Sequence, residues 1–152
     1  MTIDTRLAEL GITIPALAKP AGAYVPFVVT GNLVFTAGQL PFTDGVLPAT
    51  GKLGDGVNAE DGKAYARTAA LNALAAVQEA IGSLDRVTRV VKLVGFVASA
   101  PDFTGQPGVI NGASEVLGEI FGELGKHARS AVGVAVLPLD SPVEVELIVE
   151  FA

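Results

Sequence analysis

Apolar residues recur along this chain with two different spacings, which distinguish the predicted helices from the predicted strands. Residues 60–82 contain eight alanines, and Leu74, Val77 and Ile81 form a stripe at helical spacing. In residues 143–151 apolar residues alternate with glutamate along most of the segment, which is typical of a strand. Because alanine is small, the helix can pack closely against a sheet.

Turn residues divide the rest of the chain into further elements. The Gly31-Asn32 pair between two β-branched runs predicts a hairpin, and the glycine-rich residues 42–62 predict a long loop that is either functional or mobile. The predicted elements are a short helix at 3–11, an extended lead-in at 12–26, two strands within 27–41, helices at 60–82 and 110–124, and strands at 87–98, 131–137 and 142–151. The main order, β-β-α-β-α-β-β, predicts one α+β domain over residues 1–152, with two helices packed on one face of a mixed sheet.

The predicted strands are apolar on both sides, although two helices can cover only one face of the sheet. The strand at 87–98 has apolar residues on each side, and in 131–136 valines occupy one face while small residues occupy the other. No predicted segment remains to cover the second face. The pattern therefore predicts that a second copy of the chain packs there.

Composition narrows the chemistry that this chain can perform. The sequence has no cysteine, one histidine and a net charge of −6 at neutral pH. We therefore expect no disulfide, no cysteine or multi-histidine metal site and no nucleic-acid partner, and a cation held only by carboxylates has no supporting motif. The N-terminus has no apolar segment of the signal-peptide type and no run is long enough to span a membrane, so we expect a cytoplasmic protein without a membrane partner.

Arg129 is the first candidate for chemistry, because it stands at the entrance to a strand that looks buried. A guanidinium stays charged at physiological pH, so it needs solvent or an anion. The residues that share its side of the strand, Ala131 and Gly133, leave room for a bound carboxylate. The alternative is an ordinary surface arginine paired with Glu123 or Asp140.

Glu144 is the second candidate. If the strands at 131–137 and 142–151 pair as a hairpin, Glu144 and Arg129 approach each other within one site, where the acid could position or deprotonate a water. Otherwise Glu144 is a solvated glutamate on a strand face, like Glu146 and Glu150.

Four further residues are weaker candidates for a role in a functional site. Tyr24 could offer a hydroxyl to a ligand, and Gly38 could let a ligand approach the backbone. Asn111 is expected to cap the second long helix. His127 is expected to be structural or partly exposed and to point away from Arg129.

Three segments, taken in order, narrow these alternatives. They are "GAYVPFVVTGNLVFTAGQLP" at 22–41, "VVKLVGFVASAPDF" at 90–103 and "ARSAVGVAVLPLDSPVEVELIVE" at 128–150. Together they resemble the Rid/YjgF family of reactive-intermediate deaminases, also labelled endoribonuclease L-PSP. With the helices between them, the resemblance covers about residues 20–150.

The resemblance implies a fold like that of bacterial chorismate mutase: a homotrimer with the helices outside, the sheets lining a central barrel, and clefts between subunits. Members of the main branch hydrolyse 2-imino or 2-enamino acids to 2-oxo acids and ammonia, with no metal or organic cofactor. The implied activity is that of a 2-iminobutanoate/2-iminopropanoate deaminase.

The resemblance also assigns roles by position. It implies that Arg129 binds the substrate carboxylate and that Glu144 helps to hold the attacking water. The implied substrate-binding residues are Tyr24, Gly38, Phe103 and Asn111, with Phe103 the looser match.

The chain departs from the family pattern at three positions beside these residues. Ala37 replaces a common serine, Ala131 replaces a common cysteine or serine, and His127 replaces the usual proline. These departures suggest a less polar pocket. They keep a second hypothesis open, a non-catalytic trimer that binds small carboxylates. A third, an endoribonuclease or translation inhibitor, fits poorly with the acidic charge and the absence of a basic patch.

Overall fold

The computed structural model describes residues 1–20 and 22–152, and within them it has three α-helices and a five-stranded sheet. The elements in chain order are α1 (Ile3–Leu10), β1 (Phe27–Thr30), β2 (Leu33–Thr36), β3 (Lys52–Leu53), β4 (Gly56–Val57), α2 (Ala59–Ile81), β5 (Val87–Ala98), α3 (Gln106–Phe121), β6 (Ala128–Val134) and β7 (Val143–Phe151). The predicted α+β class and the order of the main elements are confirmed.

The sheet has the strand order β1-β2-β7-β5-β6. β5 and β6 run parallel, and the other neighbours are antiparallel. The condition that β6 and β7 pair as a hairpin is therefore not met, because both strands flank β5. A parallel pair needs a long crossover, and α3 supplies it between β5 and β6. A 3-10 turn at Pro138–Asp140 then leads the chain to β7 at the sheet centre.

Helices α2 and α3 cover one face of the sheet. Val143, Val145, Leu147 and Val149 of β7 all point into this layer and are buried. Alanines of α2 are fully buried beside them, which lets the helix approach the strands. Asn58 caps α2 by accepting a hydrogen bond from the Asp61 N–H at 2.8 Å.

Helix α3 begins at Gln106, four residues before the predicted start. Pro107 lies in its first turn, where a missing N–H breaks no helical hydrogen bond. Asn111 is therefore inside the helix, and its predicted capping role is wrong. The helix ends at Phe121, so Leu124, the last residue of the predicted helix, lies in a 3-10 turn and is 46% exposed.

The opposite face of the sheet carries exposed apolar side chains. Val28 is 53% exposed, Phe35 is 38% exposed and Val132 is 45% exposed. All three belong to strands, where an exposed apolar residue weakens the solubility of a single chain. The second apolar face that the sequence predicts is thus present on the folded chain.

The glycine-rich segment is anchored to the rest of the fold. Its strands β3 and β4 pair in parallel. Leu53 is fully buried against Gly62, and its carbonyl accepts a hydrogen bond from the Ala100 N–H at 2.9 Å. The segment therefore forms a wall beside β5.

Candidate active site

Arg129 is the second residue of β6, and its side chain lies against α3. Its Nη1 donates to Asn111 Oδ1 at 2.8 Å and to Ser114 Oγ at 3.2 Å, while Nη2 donates to the Pro107 carbonyl at 3.4 Å. Nε has no partner among the described residues. Within the same residues no carboxylate lies at ion-pair distance from Arg129, so pairing with Glu123 or Asp140 is not observed.

Helical spacing explains how α3 holds this guanidinium. Asn111 and Ser114 are three residues apart, so their side chains share one face of α3. The hydrogen bonds from Arg129 show that this face of α3 lies over the start of β6. The helix thus supplies two neutral acceptors to one nitrogen of Arg129.

Tyr24, Gly38 and Glu144 form a second group, which does not include Arg129. They line a cavity of about 760 Å³, together with Leu40 and Phe42. The backbone at Gln39 pairs with Val145, which brings Gly38 beside the Glu144 side chain. A Cβ at position 38 would overlap the Glu144 carboxyl group, so a larger residue there would displace that side chain from its present position.

The Glu144 carboxyl group is only partly open to water. Burial, and to a smaller extent the negative charge of Glu146, raise its pKa above the ordinary glutamate value. Glu144 can therefore hold a proton at a pH where a surface glutamate cannot.

The structure does not bring Arg129 and Glu144 together within one chain. Arg129 pairs in register with Leu93, whereas Glu144 pairs with Phe96, and β5 lies between the two strands. The two backbones are about 10 Å apart across the sheet and about 10 Å along it. Arg129 also faces α3, whereas Glu144 lies on the opposite face from its buried neighbours in β7.

Phe103 precedes α3 and lies on the Arg129 side of the molecule. Its side chain packs over Gly54 and Gly105, where a Cβ would come within 3.1 Å and 3.0 Å of it. It lines a smaller cavity with Ser99 and Gln106. Arg129 and Asn111 are joined by a hydrogen bond, and Phe103 lines a different cavity from that of Tyr24, Gly38 and Glu144.

Neither a metal centre nor a membrane segment is found in the parts of the chain that the structure describes. No three His, Asp or Glu side chains in residues 1–20 and 22–152 stand close enough to hold a metal ion. No helix over the same residues is long and apolar enough to cross a membrane.

A family model described as "YjgF/chorismate_mutase-like, putative endoribonuclease" matches residues 4–151. The chain belongs to the YjgF family. The predicted family and its fold are confirmed, since solved YjgF structures share this architecture.

Relatives of this YjgF chain include one whose name gives no activity and one that is named for an enzymatic activity. It is 48% identical to protein TCP17 of Trypanosoma cruzi, over 97% of this chain and 93% of the relative. It is 38% identical to a 2-iminobutanoate/2-iminopropanoate deaminase of Salmonella typhimurium, over 90% and 94% of the two chains.

Two solved structures are also similar to this chain. Atu1372 of Agrobacterium tumefaciens, a protein of unknown function, is 46% identical, with a TM-score of 0.91 and coverage of 99% of this chain and 92% of that one. TdcF of Escherichia coli with bound serine is 27% identical, with a TM-score of 0.67 and coverage of 92% and 96%.

The sequence analysis of this YjgF chain did not identify Ser114, and it predicted the wrong direction for the side chain of His127. Ser114 contacts both Arg129 and His127, and no motif pointed to it. His127 was expected to point away from Arg129, which is wrong, because residues two apart on an extended backbone share a side. That period of two is the signal that could have found it.

Proposed function

We propose that this chain hydrolyses 2-imino and 2-enamino acids to 2-oxo acids and ammonia, at sites shared between copies of the chain. The state of Arg129 carries the proposal. Its Nη1 is held by two acceptors on α3, whereas Nε has no partner among the described residues. The edge formed by Nε and Nη2 can therefore offer two parallel N–H groups to a carboxylate, a geometry that arginine favours.

Two relatives support a ligand of this kind. One is named as a 2-iminobutanoate/2-iminopropanoate deaminase, and another is described with bound serine. Serine and 2-imino acids share an α-carboxylate beside a carbon that bears nitrogen. A protonated imine carbon is already electrophilic, so the site needs orientation and a placed water rather than a cofactor.

The second half of the proposed site comes from a neighbouring copy. Tyr24, Gly38 and Glu144 line their own cavity, far from Arg129 of the same chain. A closed assembly of copies can place the Arg129 group of one copy against the Glu144 group of the next. We propose a homotrimer with one such site at each interface, which also covers the apolar face of each sheet.

In the proposed reaction, Arg129 holds the carboxylate while Glu144 orients a water against C2 of the protonated imine. Glu144 accepts a proton as the water oxygen bonds to C2, which gives a carbinolamine. It passes that proton to the amino nitrogen, takes the hydroxyl proton, and the C–N bond breaks with its electron pair leaving on nitrogen. The products are the 2-oxo acid and ammonia, which takes the proton from Glu144 and leaves as ammonium, so that Glu144 is ionised again. The raised pKa of Glu144 makes it a stronger base than a surface glutamate.

The first test generates 2-imino acids in place with an amino-acid oxidase and traps them with semicarbazide. Wild-type protein is expected to lower the trapped product and release ammonia. Arg129→Ala is expected to lower kcat/KM by about 100-fold, because a bidentate charged pair is lost. Lys126→Ala, a nearby exposed cation, serves as the control and keeps the wild-type rate. Carboxylate binding without ammonia release across apolar, polar and acidic side chains would contradict the proposal.

A second test asks whether the site is shared. Arg129→Ala and Glu144→Gln are each expected to be inactive alone. Assembled together from a 1:1 mixture, they should regain about a quarter of the wild-type sites, because some interfaces pair an intact Arg129 with an intact Glu144. Mixtures that stay inactive, although both variants assemble, would show that the two residues do not act across an interface.

A further inference from the structure

A line of polar side chains runs from Arg129 away from the proposed carboxylate site. Ser114 Oγ accepts from Arg129 Nη1 at 3.2 Å and lies 2.9 Å from His127 Nε2. His127 Nδ1 lies 2.7 Å from the carbonyl oxygen of Gly125. The line ends at buried backbone, since a Cβ on Gly125 would overlap the Leu117 carbonyl.

The carbonyl at the end of this line fixes the direction of each hydrogen bond. A carbonyl oxygen can only accept, so Nδ1 of His127 carries the proton. In neutral histidine Nε2 is then an acceptor, and the Ser114 hydroxyl donates to it. The lone pairs of Ser114 are left for Arg129. Arg129, Ser114 and His127 are thus satisfied by one arrangement of hydrogens.

This arrangement determines which part of Arg129 is available. Both hydrogens of Nη1 are used, one by Asn111 Oδ1 and one by Ser114 Oγ. The plane of the guanidinium is fixed by these two bonds. One hydrogen of Nη2 lies toward the Pro107 carbonyl at 3.4 Å, and the Nε hydrogen and the second Nη2 hydrogen are left for a ligand. A side chain held in its binding geometry loses less conformational freedom when the ligand arrives.

We propose that Ser114 and His127 are positioning residues, which orient Arg129 for the carboxylate of the substrate without touching the substrate. The inference rests on the proposed function, and it assigns to this chain a support that does not exist where proline replaces His127, because proline has no side-chain hydrogen-bonding group. His127 acts through Ser114, and Ser114 acts through Nη1.

The test measures binding of 2-oxobutanoate by calorimetry and turnover of imino acids by the trapping assay. Ser114→Ala and His127→Phe are expected to weaken 2-oxobutanoate binding and raise KM by about tenfold, the effect of losing one hydrogen bond to a charged group, with a smaller change in kcat. Ser114→Thr and His127→Gln, which keep the hydroxyl and an acceptor, are expected to restore most of the affinity. Ser130→Ala, a serine beside Arg129 that is exposed in this chain, is the control.

The outcomes separate this inference from the proposed reaction. Suppose that wild-type protein releases no ammonia but binds 2-oxobutanoate in a way that depends on both Arg129 and Ser114. That result would contradict the proposed reaction and support the positioning role. Normal KM and affinity in folded Ser114→Ala and His127→Phe would overturn the positioning role. The positioning role would also be overturned if Ser114→Thr and His127→Gln failed to restore the affinity for 2-oxobutanoate. The same conclusion would follow if wild-type protein bound 2-oxobutanoate no more strongly than Arg129→Ala does.

Discussion

At the level of single residues, Glu144 has the most informative surroundings. Its carboxyl group lies against the backbone at Gly38. Burial is the larger cause that raises its pKa, and the negative charge of Glu146 is the smaller one. The folded chain therefore binds a proton at Glu144 more tightly than the unfolded chain does. Stability falls as the pH rises from the ordinary glutamate value toward the raised one, because the ionised form is disfavoured only in the fold.

The raised pKa predicts the acid side of the pH–rate profile. Since the proposed mechanism needs ionised Glu144, kcat should fall on acidification at a pH above the ordinary glutamate value of about 4.3. Glu146→Gln removes one cause of the shift and should move this limb to lower pH. Glu150→Gln, farther along β7, is the control and should leave it in place. A limb that does not respond to Glu146→Gln would argue against Glu144 as the titrating group.

The same pKa predicts an effect on stability. Glu144→Gln should raise the melting temperature at neutral pH, because a partly buried carboxylate is replaced by a neutral group of similar shape. The difference should vanish below the ordinary glutamate pKa, where both side chains are neutral. Equal melting temperatures at neutral pH would mean that an opposite charge, such as Arg129 of another copy, offsets the burial of Glu144.

A residue of the candidate site can be found from the sequence when a local pattern or a family motif contains it. The alternation along β7 and the family resemblance drew attention to Glu144 and Arg129 from the sequence. Ser114 was invisible, because an isolated serine in a helix has no pattern, and its partners come from β6 and the turn before it. The chemical roles of Arg129 and Glu144 stay predictions.

At the level of elements, the two long helices differ in how well sequence predicted them. The range predicted for α2 differs from the structure by one residue at each end, because its apolar stripe is continuous and Asn58 caps it. The predicted start of α3, at residue 110, is four residues late, because Pro107 and Gly108 are residues that favour a loop. Proline is tolerated in a first turn, so local composition could not exclude a helix there.

Close contact between α2 and α3 gives a prediction about glycine. A Cβ on Gly112 would overlap the backbone carbonyl of Lys63 in α2, whereas a Cβ on Gly118 of the same helix meets nothing. Gly112→Ala should destabilise the fold by about 1–3 kcal/mol. Gly118→Ala should stabilise it by about 0.5–1 kcal/mol, because alanine is the better helix former.

Urea unfolding of both variants checks this prediction. The two substitutions add the same methyl group to the same helix, so opposite signs isolate the contact with α2. Equal changes in the free energy of unfolding would mean that α2 and α3 can move apart without destabilising the fold. In that case α3 could also shift Asn111 and Ser114 relative to Arg129.

At the level of the whole molecule, strand order was the part that sequence could not supply. The turn before β7 looked like a hairpin, yet β7 lies between β2 and β5. Its neighbours are therefore far away in sequence, and a local pattern does not encode them. This placement also separates Arg129 from Glu144 within one chain, so the proposed shared site would need a second copy.

The exposed face of the sheet gives the last prediction. Val132 is 45% exposed on β6, and Leu124 is 46% exposed beyond the end of α3. Val132→Lys should dissociate the assembly, because a desolvated charge is costly in an apolar interface. Leu124→Lys places the same charge at equal exposure away from the sheet and should not. Light scattering coupled to gel filtration measures both masses.

The Val132→Lys chain should keep its secondary structure, since the side chain is not part of the core. Its mass should approach the 15.4 kDa of one chain, and imino-acid turnover should fall with it, because Arg129 and Glu144 would no longer meet. A single-chain Val132→Lys protein with full turnover would show that one chain holds the whole site. A wild type that is monomeric would mean that the apolar face serves another partner.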